Sequence, residues 1–161
     1  MSYSDSSYDQ TSAYAAEPVA VRRPDSLAGL LMVLAGAAIG VSLLLEWFLD
    51  LTGYDIFDQG LQNAGSFFND GIWQPLVIVF GGGVLLLIGL IAFIPGKSRR
   101  ALGLIALLVA VGIVAAAMTV LINVDFDFTG FEPGFYVVLG AAVLGLLGAL
   151  KAAVTPPKRV S

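Results

Sequence analysis

Pro95-Gly96-Lys97-Ser98-Arg99-Arg100 is the stretch that decides the fold. It separates two apolar runs of about twenty residues, each long enough to cross the hydrocarbon core of a bilayer. Three of the chain's eight Lys and Arg residues fall in these six positions. A turn this short and this positive between two membrane-length segments stays in the cytoplasm, because bilayer-flanking Lys and Arg resist translocation.

With that turn inside, the chain reads outward in both directions. Span two runs from Pro75 to Ile94, with proline in the tolerated first turn. Gly81-Gly82-Gly83 interrupts it; in lipid the backbone has no partner but itself, so the helix persists there with a close contact or a kink. Span three runs from Ala101 to about Asn123, and span four from Phe135 to about Val154. Span one runs from Leu27 to about Leu49, with Asp25 or Ser26 as its N-cap. Its far end, Leu43-Leu44-Leu45-Glu46-Trp47-Phe48, has no small-residue cleavage site, so a retained anchor is expected rather than a signal peptide.

The composition agrees. Of 161 residues, 58% are hydrophobic and 12% charged, with a mean hydropathy of +0.89. A soluble domain is about half apolar and a quarter charged. The chain has no Cys and no His, which excludes disulfides, thiolate nucleophiles, Cys/His zinc sites, His- or Cys-ligated haem and histidine general bases.

Charge distribution sets the orientation. Arg22, Arg23, Lys97, Arg99, Arg100, Lys151, Lys158 and Arg159 all fall on one side. Glu46, Asp50, Asp55, Asp58, Asp70, Asp125, Asp127 and Glu132 fall on the other. The expected fold is an all-α membrane protein, a four-transmembrane-helix bundle in the plasma (inner) membrane with both termini cytoplasmic. Residues 1–26 form a polar, disordered tail bearing Tyr3, Tyr8 and Tyr14, and residues 155–161 a short cytoplasmic tail.

Residues 50–74 and 124–134 are then outer loops. In the first, Ile56, Phe57, Gly60, Leu61, Ala64, Phe67, Phe68 and Ile72 recur at helical spacing. They predict an amphipathic helix, capped by Asp55 and stopped by Gly71, on the outer surface or over the bundle end, with Trp73 as interfacial anchor. In the second, the alternation from Asp125 to Phe128 predicts a short extended piece.

Small residues mark helix contacts in lipid, which supplies no hydrophobic drive between spans. Gly36 and Gly40 form such a pair on span one, Gly112 and Ala116 another on span three. Ala141, Gly145, Ala149 and Ala153 make a ridge on span four. These residues pack the spans together, or the ridge binds a partner subunit.

Little chemistry reaches membrane depth. Glu46 is the one acid expected inside a span, near its outer end, with Thr119, Asn123 and Tyr136 at a similar height. Glu46 is read as a proton or cation relay, as a clasp between spans one and three, or as an interfacial group beside Trp47. Asp125, Asp127 and Glu132 offer oxygen ligands without EF-hand spacing, so no metal is assigned. No nucleophile–base pair points to an enzyme, and no cofactor motif is present: Gly81–Gly83 is followed by no Gly-Lys-Ser/Thr.

Glu46-Trp47 ending span one, Gly53-Tyr54-Asp55 beyond it, the basic turn from Lys97 to Arg100, and Gly134-Phe135-Tyr136 opening a Gly/Ala/Leu-rich last span resemble the layout of small four-span membrane proteins of actinobacteria. The resemblance covers residues 27–154 and implies location and topology, not an activity. The function expected is that of a non-enzymatic accessory or scaffold subunit of a cell-envelope complex. The alternative is a small transport or channel component in which Glu46 and the acidic loops gather cations. Expected partners are the lipid bilayer and a membrane protein or a second copy of the chain, without nucleic acid.

Overall fold

The fold was obtained as a computed structural model, which describes residues 25–63, 65, 73–94 and 99–154. The expectations placed on the N-terminal tail with Arg22 and Arg23, on Phe67, Phe68, Gly71 and Ile72, on the turn at Lys97, and on the C-terminal tail lie outside the described residues. Among the described residues the elements run α1 (Ser26–Ser42), β1 (Glu46–Phe48), β2 (Leu51–Thr52), α2 (Gly53–Gln62), α3 (Trp73–Ile91), α4 (Arg99–Asn123) and α5 (Pro133–Val154). α3, α4 and α5 are long and apolar enough to cross a membrane, and α1 is a shorter apolar helix. By length and composition this is a membrane protein.

α1 packs on α3 and α5, and α4 packs on the same two helices. Each pair is antiparallel. Gly29 lies against Gly89 and Gly36 against Gly82 between α1 and α3, while Gly148 lies against Ala28 and Gly145 against Ala35 between α1 and α5. Backbones meet there because side chains are missing: a Cβ on Gly36 would stand 2.5 Å from the Gly82 carbonyl oxygen and 2.6 Å from Leu86 Cβ. The Gly81–Gly83 run stays helical inside α3. Gly82 receives Ile39 of α1, Gly81 receives Ile113 of α4, and nothing lies within 4 Å of a Cβ on Gly83.

The distribution of size inverts that of a water-soluble bundle. α4 buries Ala106, Ala110, Ile113, Ala116 and Ala117 and exposes Leu104, Ile105, Leu108, Val111, Met118 and Ile122. Small side chains inside permit close approach, and large apolar ones outside suit a lipid solvent. At one end Asp25 caps α1 by accepting from the Ala28 amide (3.2 Å), and its other carboxylate oxygen takes the Lys151 ammonium of α5 (3.1 Å). Half-exposed as it is, that ion pair contributes no more than about 1 kcal/mol.

Three local expectations are corrected. The helix expected over 27–49 ends at Ser42; Leu44 and Leu45 amides bond back three residues to Val41 and Ser42, and the chain turns into a strand. β1 and β2 pair antiparallel, with Phe48 opposite Leu51. The turn residues Leu49 and Asp50 both have positive φ (46° and 62°), the hairpin geometry for which Asn-Gly is the usual signal. α2 begins at Gly53, not Asp55: Thr52 is the N-cap and Asp55, at N3, completes a capping box. Its described helix ends at Gln62, where Asn63 caps it. Asp125 to Phe128 is not extended. The Phe126 amide bonds the Leu121 carbonyl (2.9 Å) and the Asp125 amide that of Ile122 (3.1 Å), with φ of 51° at Asp125. That is a Schellman stop for α4 with aspartate where glycine usually sits.

Gly36→Val is expected to lower stability in detergent by about 1–3 kcal/mol, the range for overpacking a filled contact. Gly40→Val meets nothing within 4 Å and leaves stability nearly unchanged. Denaturant titration followed by circular dichroism checks the pair; equal effects at both positions contradict the α1–α3 contact.

Candidate functional site

The polar features of the described chain gather at the end of the helices opposite Asp25 and Lys151, in a cap made by the hairpin, α2 and the α4–α5 loop. Its centre is Trp47. The Ser42 hydroxyl bonds the Ile39 carbonyl (2.7 Å), and the Trp47 indole N–H donates to the Ser42 carbonyl (2.8 Å). The Tyr54 and Gly53 amides donate to the Leu43 and Leu45 carbonyls (both 2.9 Å). The end of α1 is thereby satisfied by the residues that fold back over it. Trp47 is 3% exposed and lies flush against Gly53 and Gly134, where any side chain would collide with the ring. It is a wedge inside the cap.

The α4–α5 loop joins this core. The Glu132 amide donates to the Trp47 carbonyl (3.1 Å), and Phe131 bridges to Phe48. Phe131 stacks on Phe135 with ring centres 4.4 Å apart, and Trp47 meets Phe135 edge-on at 6.3 Å. α2 is tied to α3 by an edge contact of Phe57 with Phe80 at 5.6 Å. In the loop, the Asp127 carboxylate accepts from the Thr129 amide (3.0 Å) and hydroxyl (2.7 Å). The backbone bond first, and the hydroxyl second, hold its carboxyl below the ordinary carboxylate range.

Beneath the cap lies a cleft of about 370 Å³, walled by Trp47, Phe48, Phe131 and Phe135 on one side. Ile56 of α2, Pro75 and Ile78 of α3, and Val120 and Val124 of α4 form the other. Its polar groups are the amides of Gln59, Gln74 and Asn123. No charged side chain is among the described lining residues.

The expected polar residues do not meet. Glu46 is exposed on β1, outside α1, so the intramembrane acid of the sequence reading is an exposed residue of the hairpin. Tyr136 is 47% exposed on α5. Asn123 is exposed at the cleft's edge, and Thr119 donates to the Ala115 carbonyl of its own helix (2.8 Å). No hydrogen bond joins any of these to another. Gly36, Ala141, Gly145 and Ala149 are buried among α1, α3 and α5, whereas Gly40 is exposed. A ridge buried inside the chain is not a surface for a partner, which corrects the idea that Ala141 to Ala149 docks another subunit. Of the topology residues, Arg100 is exposed and Lys151 pairs with Asp25. Among the described residues no three carboxylates converge where a cation would sit.

Sequence reasoning missed Gln74 and the cleft. The available signal was an amide in the first turn of an apolar helix, between Trp73 and Pro75. The geometry is a set of closely packed apolar helices, three of them long and apolar enough to cross a membrane, with a folded acidic cap at one end. Comparison with protein families, curated proteins and solved structures finds no match for the chain.

Trp47→Phe removes the N–H that bonds Ser42 and the part of the indole that sits against Gly53 and Gly134. A loss of about 1–3 kcal/mol is expected in the same denaturant titration, the cost of a buried acceptor left without its donor. For Asp127 the folded pKa lies below the unfolded one, so the turn's contribution is present above the ordinary aspartate value of about 3.9 and is lost as pH falls through the lower folded value. Carbon-13 NMR of the Asp127 carboxyl is expected to show a midpoint below that value. Thr129→Val recovers only part of the difference, since the backbone N–H remains.

Proposed function

We propose that the chain is a four-span plasma-membrane protein with both termini in the cytoplasm, acting as a non-enzymatic accessory or scaffold subunit of a larger cell-envelope complex. The fourth crossing is α1. Its 17 residues rise about 26 Å, and it lies antiparallel to α3 and α5 from the Asp25 end to the Trp47 end. Leu30, Leu34 and Val41 turn outward like the exposed apolar residues of the other three helices. Orientation rests on charge. Arg100 and Lys151 stand at one end, and Glu46, Asp50, Asp55, Asp58, Asp125, Asp127 and Glu132 at the other, so the basic end faces the cytoplasm.

One observation carries the scaffold reading over the channel: the described interior is apolar. Ala, Gly, Ile, Leu, Met, Val138 and Phe135 are buried between the helices, and the only buried polar side chains among the described residues are Ser42 and Gln74, both at the cap end. A conducting path needs polar groups through the bilayer, and Glu46 is not in one. The cap instead exposes Leu49, Tyr54, Leu61, Phe126 and Phe128 among acids, outside the helices that face lipid. Apolar side chains exposed at such a surface mark a contact with a partner.

Single cysteines test the topology. At Ser98, thiol labelling is expected only after the cells are permeabilised; at Asp50, it is expected in intact cells. Extraction in mild detergent is expected to retain a stoichiometric membrane-protein partner. A lone oligomer that conducts ions in liposomes, and loses conductance in Glu46→Gln, overturns the scaffold in favour of the channel.

A further inference from the structure

We propose that the cleft beneath the cap holds one molecule of an uncharged single-chain lipid, with a hydroxyl or carbonyl of its head group on the Gln74 amide. This site presupposes the membrane placement above and adds a ligand to it. The cleft, at about 370 Å³, is within the size range of small-molecule sites. Three amides are the polar side-chain groups in a described wall that is otherwise aromatic and aliphatic. An apolar occupant fits that wall better than water does.

Gln74 sets the head-group chemistry. It is 3% exposed, and its side chain makes no hydrogen bond among the described residues. Among the described residues no buried side-chain nitrogen or oxygen is wholly sealed without a partner, so the amide reaches the cleft surface. An amide offers two donors and one acceptor, which suits a hydroxyl or a carbonyl. A phosphate or carboxylate would enter a wall with no cation to meet it, at the cost of an unpaired buried charge. The occupant is therefore neutral. α2 packs on α3, and the exposed Gln59 and Asn123 are among the lining residues, so the cleft reaches the surface there. The volume accommodates a head group and the first part of one chain. The rest leaves past Asn123, where exposed Ile122 and Met118 continue the apolar surface of α4.

Trp47 lines the cleft and Trp73 is the only other indole, so a Trp73→Phe protein reports from the site alone. Purified in detergent, it is titrated with a dibrominated stearoyl monoglyceride, whose bromines quench indole on contact. Saturable quenching at one probe per chain is expected. Ionised dibromostearate is expected to bind about tenfold more weakly, and Gln74→Leu to weaken the monoglyceride by about tenfold, the loss of one buried hydrogen bond. Val120→Phe, which adds an aromatic ring to the cleft wall, is expected to weaken binding of the monoglyceride while circular dichroism stays helical. Quenching that only follows the probe-to-detergent ratio overturns the site, as does equal binding of acid and glyceride or indifference to Gln74→Leu. If this fails while Ser98 labels only from inside, the lipid site falls and the membrane topology stands.

Discussion

Where the helices cross, little but backbone lies between them. Gly36 meets the Gly82 carbonyl, Gly103 meets the backbone of Ala152 and Ala153, and Gly148 meets that of Ala28. Each contact trades the volume of a side chain for dispersion between main chains, which is the attraction available when the surrounding solvent is as apolar as leucine. The remaining features follow from this close approach. Large side chains are driven outward, the interior has no room for a polar path, and polar structure is confined to the ends.

The two ends solve the helix-terminus problem differently. At the basic end Asp25 satisfies a first-turn amide and holds Lys151, so one carboxylate ties α1 to α5. At the acidic end there is no such pair among the described residues. The end of α1 is closed by Trp47, whose indole occupies a carbonyl while its ring sits in a slot made by Gly53 and Gly134. Those two glycines come from opposite parts of the chain, the start of α2 and the start of α5. The wedge therefore fixes both connections at once, and the Phe48–Phe131–Phe135 cluster extends it across the loop.

The apolar helices α3, α4 and α5 were legible because lipid-length hydrophobic runs leave little choice of backbone, and the glycine run in α3 stayed helical for the same reason. The breaks were less legible. Leu43, Leu44 and Leu45 are as apolar as the helix before them, so hydropathy carries span one past Ser42 into a turn and a strand. Leu49-Asp50 and Asp125-Phe126 adopt positive φ without the glycine or asparagine that announces it. Glu46 was placed at membrane depth for this reason alone: a helix continued through Leu49 puts it there, and a hairpin does not. Gly40 illustrates a further limit, since Gly-xxx-Gly spacing says that backbones can approach but not which residue of the pair faces a neighbour.

Gln74 is where the two orders of structure pull against each other. An apolar helix that begins with tryptophan and proline gains nothing locally from an amide between them, and the helices would close as well over leucine. Its burial follows from the position of the cap, since Ile78 one turn along is fully buried and Pro75 beside it shares the same wall. A polar group kept beneath an aromatic roof, in a chain whose other buried side chains among the described residues are apolar apart from Ser42, is a departure from consistency among packing, patterning and polar satisfaction. Such departures concentrate at sites that serve something other than the fold.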